Sequence, residues 1–399
     1  MSFSLPYIPH WKRNVYIISL GVFIAQMGFS AVSPFLAPFI KDLGLNTNVS
    51  LWSGLIFSVS YLTYGIMSPI WGSISDRYGK KPMMARAGLG MSIIYFLMAG
   101  VQNHLQLFIL RGLNGFVSGY TPAAVTFIVA SSESENLNYS LAIVQAANAL
   151  GNIMGPLVGG TAAKLFGIRG SMVFTGVLLI AAAFLPYVAK VDEKLNPKPK
   201  SSISRDIATA FRNKQLAILF IVWLLVQGSM QMVLPTLSLF IGRISPENVE
   251  LYTGIIFSIV GISTALGAPV ITRVQRFSTS VIFRASILLA AIFTALQGFA
   301  TTIFMLGSLR FIFGFFNSSF TVTGNVLIAK NSDRQSQGSS FGVLNGVVAI
   351  GQVLGPILGG LLGDGFGLSA PFLGGAAVLA LAFGLSSFIQ EPEPHDDYV

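Results

Sequence analysis

Cysteine is absent from the 399 residues, so the chain has no disulfide framework, no cysteine-ligated zinc and no thiol nucleophile. Charge is scarce: 10% of the residues are Asp, Glu, Lys or Arg, against about 25% in soluble domains, which excludes an ordinary globular enzyme. The three histidines, His10, His104 and His395, lie outside the apolar runs and offer neither a metal cluster nor a proton relay. No Gly-x-x-x-x-Gly-Lys loop occurs, which argues against ATP hydrolysis. Carboxylates are missing from the apolar stretches. Asp42, Asp76, Glu133, Glu135, Asp192, Glu193, Asp206, Glu247, Glu250, Asp333, Asp364 and the tail all fall in or beside loops or termini. No metal or cofactor is expected, and no enzyme, because the apolar segments do not supply a convergent nucleophile, acid and base.

What remains is apolar. Hydrophobic residues make up 53% of the chain, 32 of them Phe, and the mean hydropathy is +0.71. That exceeds the need of a soluble core and suits a protein whose outside also faces hydrocarbon. Apolar runs fall at 15–40, 50–72, 82–101, 105–130, 137–164, 168–190, 215–241, 250–272, 280–301, 304–330, 336–363 and 367–389. Each approaches the roughly 20 residues that a spanning helix takes. The first outruns a signal-peptide core and lacks a small-residue cleavage site, so it reads as a retained helix. An even count puts both termini on one side. With that side cytoplasmic, the outer loops hold only Lys41, Lys164, Arg169 and Arg243, and nearly all the other cations are inside. The net charge of +9 is thus spread over loops rather than gathered on one face, and no nucleic-acid partner is expected.

The chain repeats itself at an offset of 200 residues. Gly54-Leu55-Ile56-Phe57-Ser58 returns as Gly254-Ile255-Ile256-Phe257-Ser258, and Gly155-Pro156-Leu157-Val158-Gly159-Gly160 as Gly355-Pro356-Ile357-Leu358-Gly359-Gly360. The reading is an all-α membrane protein with twelve transmembrane helices in two pseudo-symmetric six-helix bundles. Residues 1–190 form the first bundle, 191–214 a basic cytoplasmic linker that can also contact anionic lipid, and 215–399 the second bundle. Parallel repeats of this kind place a substrate site between them near the membrane midplane.

Several residues break the apolar pattern. Gly72, Asp76, Arg77, Gly79, Lys80 and Lys81 crowd the loop after the second run. Glycine there permits a tight turn, and Asp76 can accept charge-assisted bonds. Gly151, Gly155, Pro156, Gly159 and Gly160 put a small-residue groove and a bend in the fifth. Arg111, Asn114 and Gly115 lie on one face of the fourth, where an intramembrane arginine faces a cavity or a partner unless it snorkels to the headgroups. Uncharged amides recur: Gln26, Asn148, Gln227, Gln231, Asn317, Asn325 and Asn345 either bind helices together or line a wet cavity.

The loop Gly72-Ser73-Ile74-Ser75-Asp76-Arg77-Tyr78-Gly79-Lys80-Lys81 resembles the Gly-x-x-x-Asp-Arg-x-Gly-Arg-Lys signature of the major facilitator superfamily, with Lys80 in place of the usual Arg. Gly151 to Gly160 resembles the Gly-x-x-x-Gly-Pro-x-x-Gly-Gly motif of its twelve-helix drug/proton antiporters. Arg111 with Gly115 resembles the coupling element of the fourth helix. The resemblance implies a multi-pass cell-membrane transporter, monomeric, that exports hydrophobic or aromatic drugs by alternating access in exchange for protons. It also implies that the loop latches one conformation. Members of this branch often keep a carboxylate in the cavity, which this chain lacks. Asp76, Glu133 and Asp42 are then the reachable proton carriers, and a porter for one metabolite or sugar remains the alternative.

Overall fold

The computed structural model describes residues 10–189, 213–271, 273, 278–332 and 337–390. Its helices are α1 (His10–Ala31), α2 (Leu36–Asp42), α3 (Val49–Tyr78), α4 (Lys80–Ala99), α5 (His104–Val117), α6 (Tyr120–Ser131), α7 (Ser134–Val188), α8 (Lys214–Met232), α9 (Leu234–Ile244), α10 (Val249–Ile271), α11 (Thr279–Gln297), α12 (Ile303–Lys330), α13 (Gln337–Phe366) and α14 (Ala370–Ser386). Ten helical stretches are long and apolar enough to cross a membrane. One of them contains α7, which is two crossings joined at Gly167 (φ 70), and α14 is a shorter apolar helix. The described residues therefore supply the twelve crossings expected, within a few residues of the expected ends.

Three crossings are broken where the sequence reads as continuous. Between α1 and α2 a short 3-10 turn, Ser33–Phe35, carries Pro34, and between α8 and α9 the chain kinks at Val233 just before Pro235. Proline has no N–H to give the preceding turn and its ring crowds it, so the axis shifts at both places. The third break separates α5 from α6. Gly119 there has φ 130 and ψ 12, a conformation costly for any residue with a Cβ. The repeat extends to such special positions, since Asn48 and Asn248 both have positive φ, as do Gly167 and Gly367.

Two compact units emerge, one from Met1–Ser33 with Thr63–Lys198, the other from Pro34–Leu62 with Pro199–Val399. In the first, α1 lies along the leading half of α7. A Cβ at Gly151 would meet the Phe23 carbonyl and the Gln26 side chain, one at Gly155 the Met27 carbonyl, and one at Gly159 the Ala31 carbonyl. The two backbones can approach this closely only because α7 presents glycine. The second unit repeats the device: Gly351 lies against Gln227 and Gly228, Gly355 against Gly228 and Gln231, and Gly359 against Met232. Its core stacks Trp223, Phe283 and Phe320, with Phe320 4.5 Å from Trp223 and 5.1 Å from Phe283 between ring centroids.

Candidate functional site

Arg111 is 1% exposed. Its Nη2 donates to the Ser33 hydroxyl at 3.3 Å. Tyr95, also fully buried, lies within bonding reach of the guanidinium and donates its own hydroxyl to the Gly28 carbonyl at 2.7 Å. The arginine is therefore internal to the first unit and does not snorkel. Thr63 donates to the Gly112 carbonyl at 2.8 Å, which ties α3 to the same turn of α5. Asn114 is completely buried, and neither of its amide atoms has a hydrogen-bond partner among the described residues. An unpaired buried amide costs about 1–3 kcal/mol, an arrangement that suits a water or ligand better than a dry interior. Gly115 is buried on the same helix.

Further along, α5 ends at Ser118 and the chain turns through Gly119. Trp71 of α3 clamps this break by donating Nε1 to the Phe116 carbonyl at 2.6 Å. The Arg86 guanidinium lies 3.5 Å over the Trp71 ring, with Nε and Nη2 unpartnered among the described residues. The loop between α3 and α4 is compact. Gly79 has φ 94, beyond the ordinary range of other residues, and donates its N–H to the Ser75 carbonyl at 3.1 Å. Gly72 faces open space. Arg77 is exposed, Lys80 is buried, and Lys81 reaches across to donate to the Ala189 carbonyl at 2.7 Å. Asp76 falls in the last turn of α3; its side chain lies outside the described residues. Asp42 and Glu133, both exposed, sit at helix ends.

The glycine seam of α1 and α7 opens onto a polar face. Gln26 donates to the Asn152 side chain at 2.8 Å, Gln145 and Asn152 are exposed, and Gln26 and Asn148 are half-buried. Exposed amides midway along apolar spans are unfavourable against lipid, so this face is suited to a wet cavity. Pro156 and Gly160 are buried on the seam itself. In the second unit Gln227 and Gln231 border the matching seam of α8 and α13. Asn317 donates to Thr264 at 3.4 Å and lines a small cavity with Met230, Phe313 and Phe320. Asn325 is half-buried and Asn345 exposed, on different helices. Arg310 occupies the place matching Arg111 and is 5% exposed, but its Nε and Nη1 have no hydrogen-bond partner among the described residues.

Asp364, passed over in the sequence as a loop residue, does structural work at the end of α13. Its two carboxylate oxygens accept the N–H groups of Ser50, at 3.1 Å, and Leu51, at 2.8 Å, in the first turn of α3. Those donors have no partner inside their own helix, and the helix dipole favours an anion there. The target of Asp364, 314 residues away, could not be read from the sequence. Tyr95, Thr63 and Trp71 were likewise missed, because lone polar or aromatic residues in apolar runs carry little signal.

The sequence model of the Major Facilitator Superfamily matches residues 18–274 and 248–398. Multidrug resistance protein MdtG of Escherichia coli (strain K12 / DH10B) is 30% identical over 378 residues, 93% of this chain and 92% of that protein. MdtG of Escherichia fergusonii is 30% identical over 395 residues, 96% and 97% of the two. Among solved structures, a bacterial homologue of the human lysosomal transporter Spinster, inward-facing and occupied, superposes with a TM-score of 0.80 at 14% identity, covering 96% of this chain and 97% of that one. The nucleoside transporter NupG does so with 0.79 at 18%, covering 95% and 100%. The shared architecture, the repeat and the family match over nearly the whole length lead to one assignment: the chain belongs to the Major Facilitator Superfamily.

Proposed function

We propose that this chain exports hydrophobic, aromatic, drug-like compounds across the cell membrane in exchange for protons, with both termini cytoplasmic and the single chain as the working unit. The observation that carries the reading is the 30% identity to multidrug resistance proteins along nearly the whole sequence. The uncharged polar face of α1 and α7, with Gln26, Asn148 and Asn152, supports it as one wall of a wet cavity.

In this reading residues 1–190 and 215–399 rock as two halves about the linker 191–214. Gly72, Asp76, Arg77, Gly79, Lys80 and Lys81 stabilise one end state, and Arg111 with Gly115 transmits proton binding to the helices. Gly151, Gly155, Pro156, Gly159 and Gly160 hold α7 on α1 so that both move together. The bonds from Asp364 to the start of α3 join first-half to second-half sequence, and the cycle breaks and remakes them. Gln227, Gln231, Asn114, Asn317, Asn325 and Asn345 contribute polar contacts to the cargo.

Purified protein in liposomes tests the coupling. Export of an aromatic drug should collapse when the pH gradient is dissipated; export that persists unchanged contradicts proton exchange. A porter for one neutral polar metabolite is the second reading, favoured by the absence of any carboxylate midway along the described helices. A substrate profile confined to one such solute would select it.

A further inference from the structure

The first turn of α1 and the start of α7 meet in an aromatic corner that the transport reading does not use. The Trp11 and Tyr139 rings stand 5.9 Å apart between centroids and almost perpendicular, at 85°. A cation lies at the mouth of this corner, the ammonium of Lys12, 5.4 Å from the Trp11 ring and 5.7 Å from the Tyr139 ring. The Tyr139 hydroxyl is hydrogen-bonded to that of Tyr16 at 2.7 Å, which fixes the ring. Tyr16 and Tyr139 are 43% and 42% exposed, so the corner is open.

Two ring faces around a positive charge are the arrangement that recognises organic cations. Lysine is a poor permanent occupant, because its compact ammonium is strongly hydrated and gives up water to enter. A lipophilic cation, with its charge spread over apolar groups, loses less water and gains more ring contact. Glu135 lies one turn before Tyr139 on α7 and is exposed, which adds negative charge near the opening. Farther along the same two helices lies the Gln26–Asn152 pair.

We infer that the Trp11–Tyr139 corner is a binding site for lipophilic organic cations, with the Lys12 ammonium as a tethered occupant that the cation displaces. The inference rests on the export reading for its use as a station on the way to the polar face; binding itself does not depend on flux. It differs from the commonplace role of Trp and Tyr as headgroup anchors, which requires no displaceable cation.

Titration calorimetry of the purified full chain with tetraphenylphosphonium tests it. Lys12→Ala should tighten binding roughly two- to fivefold, the range of an exposed cation–ring interaction. Arg13→Ala removes the same charge one residue away, from an exposed side chain, and should leave binding unchanged. Adding Trp11→Ala or Tyr139→Leu to Lys12→Ala should reverse the gain, and Trp11→Phe should keep most of it. Equal tightening by Lys12→Ala and Arg13→Ala would reduce the effect to net charge and overturn the site, as would no change in Lys12→Ala. If the wild type exports tetraphenylphosphonium while Lys12→Ala binds it as the wild type does, the site fails and the export reading stands. If it neither binds nor exports that cation or any aromatic drug, both fail.

Discussion

Arg111 and Arg310 hold matching places in the repeat and keep different company. Arg111 donates its Nη2 to Ser33 and lies beside Tyr95; on Arg310, Nε and Nη1 have no partner among the described residues. A buried cation with unfilled bonds is destabilising, and a well-packed apolar replacement of similar length relieves the cost. Arg310→Met should therefore raise stability by about 1–2 kcal/mol, seen as a higher melting temperature in detergent; a lower one would mean that the guanidinium is satisfied by water or a ligand. Arg111→Ala should leave insertion intact and abolish export, which immunoblots of membranes and a flux assay would check. Arg111 stood out in the sequence because charge inside an apolar run is conspicuous. Its partners did not, since Ser33 and Tyr95 are common residues whose closeness to it depends on how three helices pack.

Breaks and caps decide what the helices can do. The turn at Gly119 separates α5 from α6 at φ 130, and a methyl group there has room but not the right backbone. Gly119→Ala should cost about 1–3 kcal/mol through strain alone and slow export more than it lowers protein level. Normal transport by that variant would show the break to be passive. At the start of α3, Asp364→Ala removes a carboxylate that accepts two free N–H groups and should cost about 1 kcal/mol, measurable as a lower melting temperature. An unchanged melting temperature would mean that water replaces the cap without loss. The twelve crossings were legible because a spanning helix needs a long apolar run. The breaks were not: Pro34 and Pro235 sit at two of them within runs that read as continuous, and a single glycine in a glycine-rich chain does not announce the third. The seam glycines were legible as a groove, while the helix each groove receives is set by the tertiary fold.

For the whole molecule, the sequence carried most of the architecture: the repeat at 200 residues, the number of crossings and the family all follow from it. Chemistry was harder to read, because the amides and aromatics of the proposed cavity form no motif and are scattered among many similar residues. Gln26 meets Asn152 and Asn317 meets Thr264, pairings that no spacing in the sequence announces. The central claim, that this chain is an exporter of aromatic drugs driven by protons, is tested most directly by ethidium efflux from energised cells that express it, with and without a protonophore. Efflux should be rapid, stop when the protonophore is added and be absent in the Arg111→Ala variant. No efflux from cells in which the chain is abundant in the membrane would contradict it.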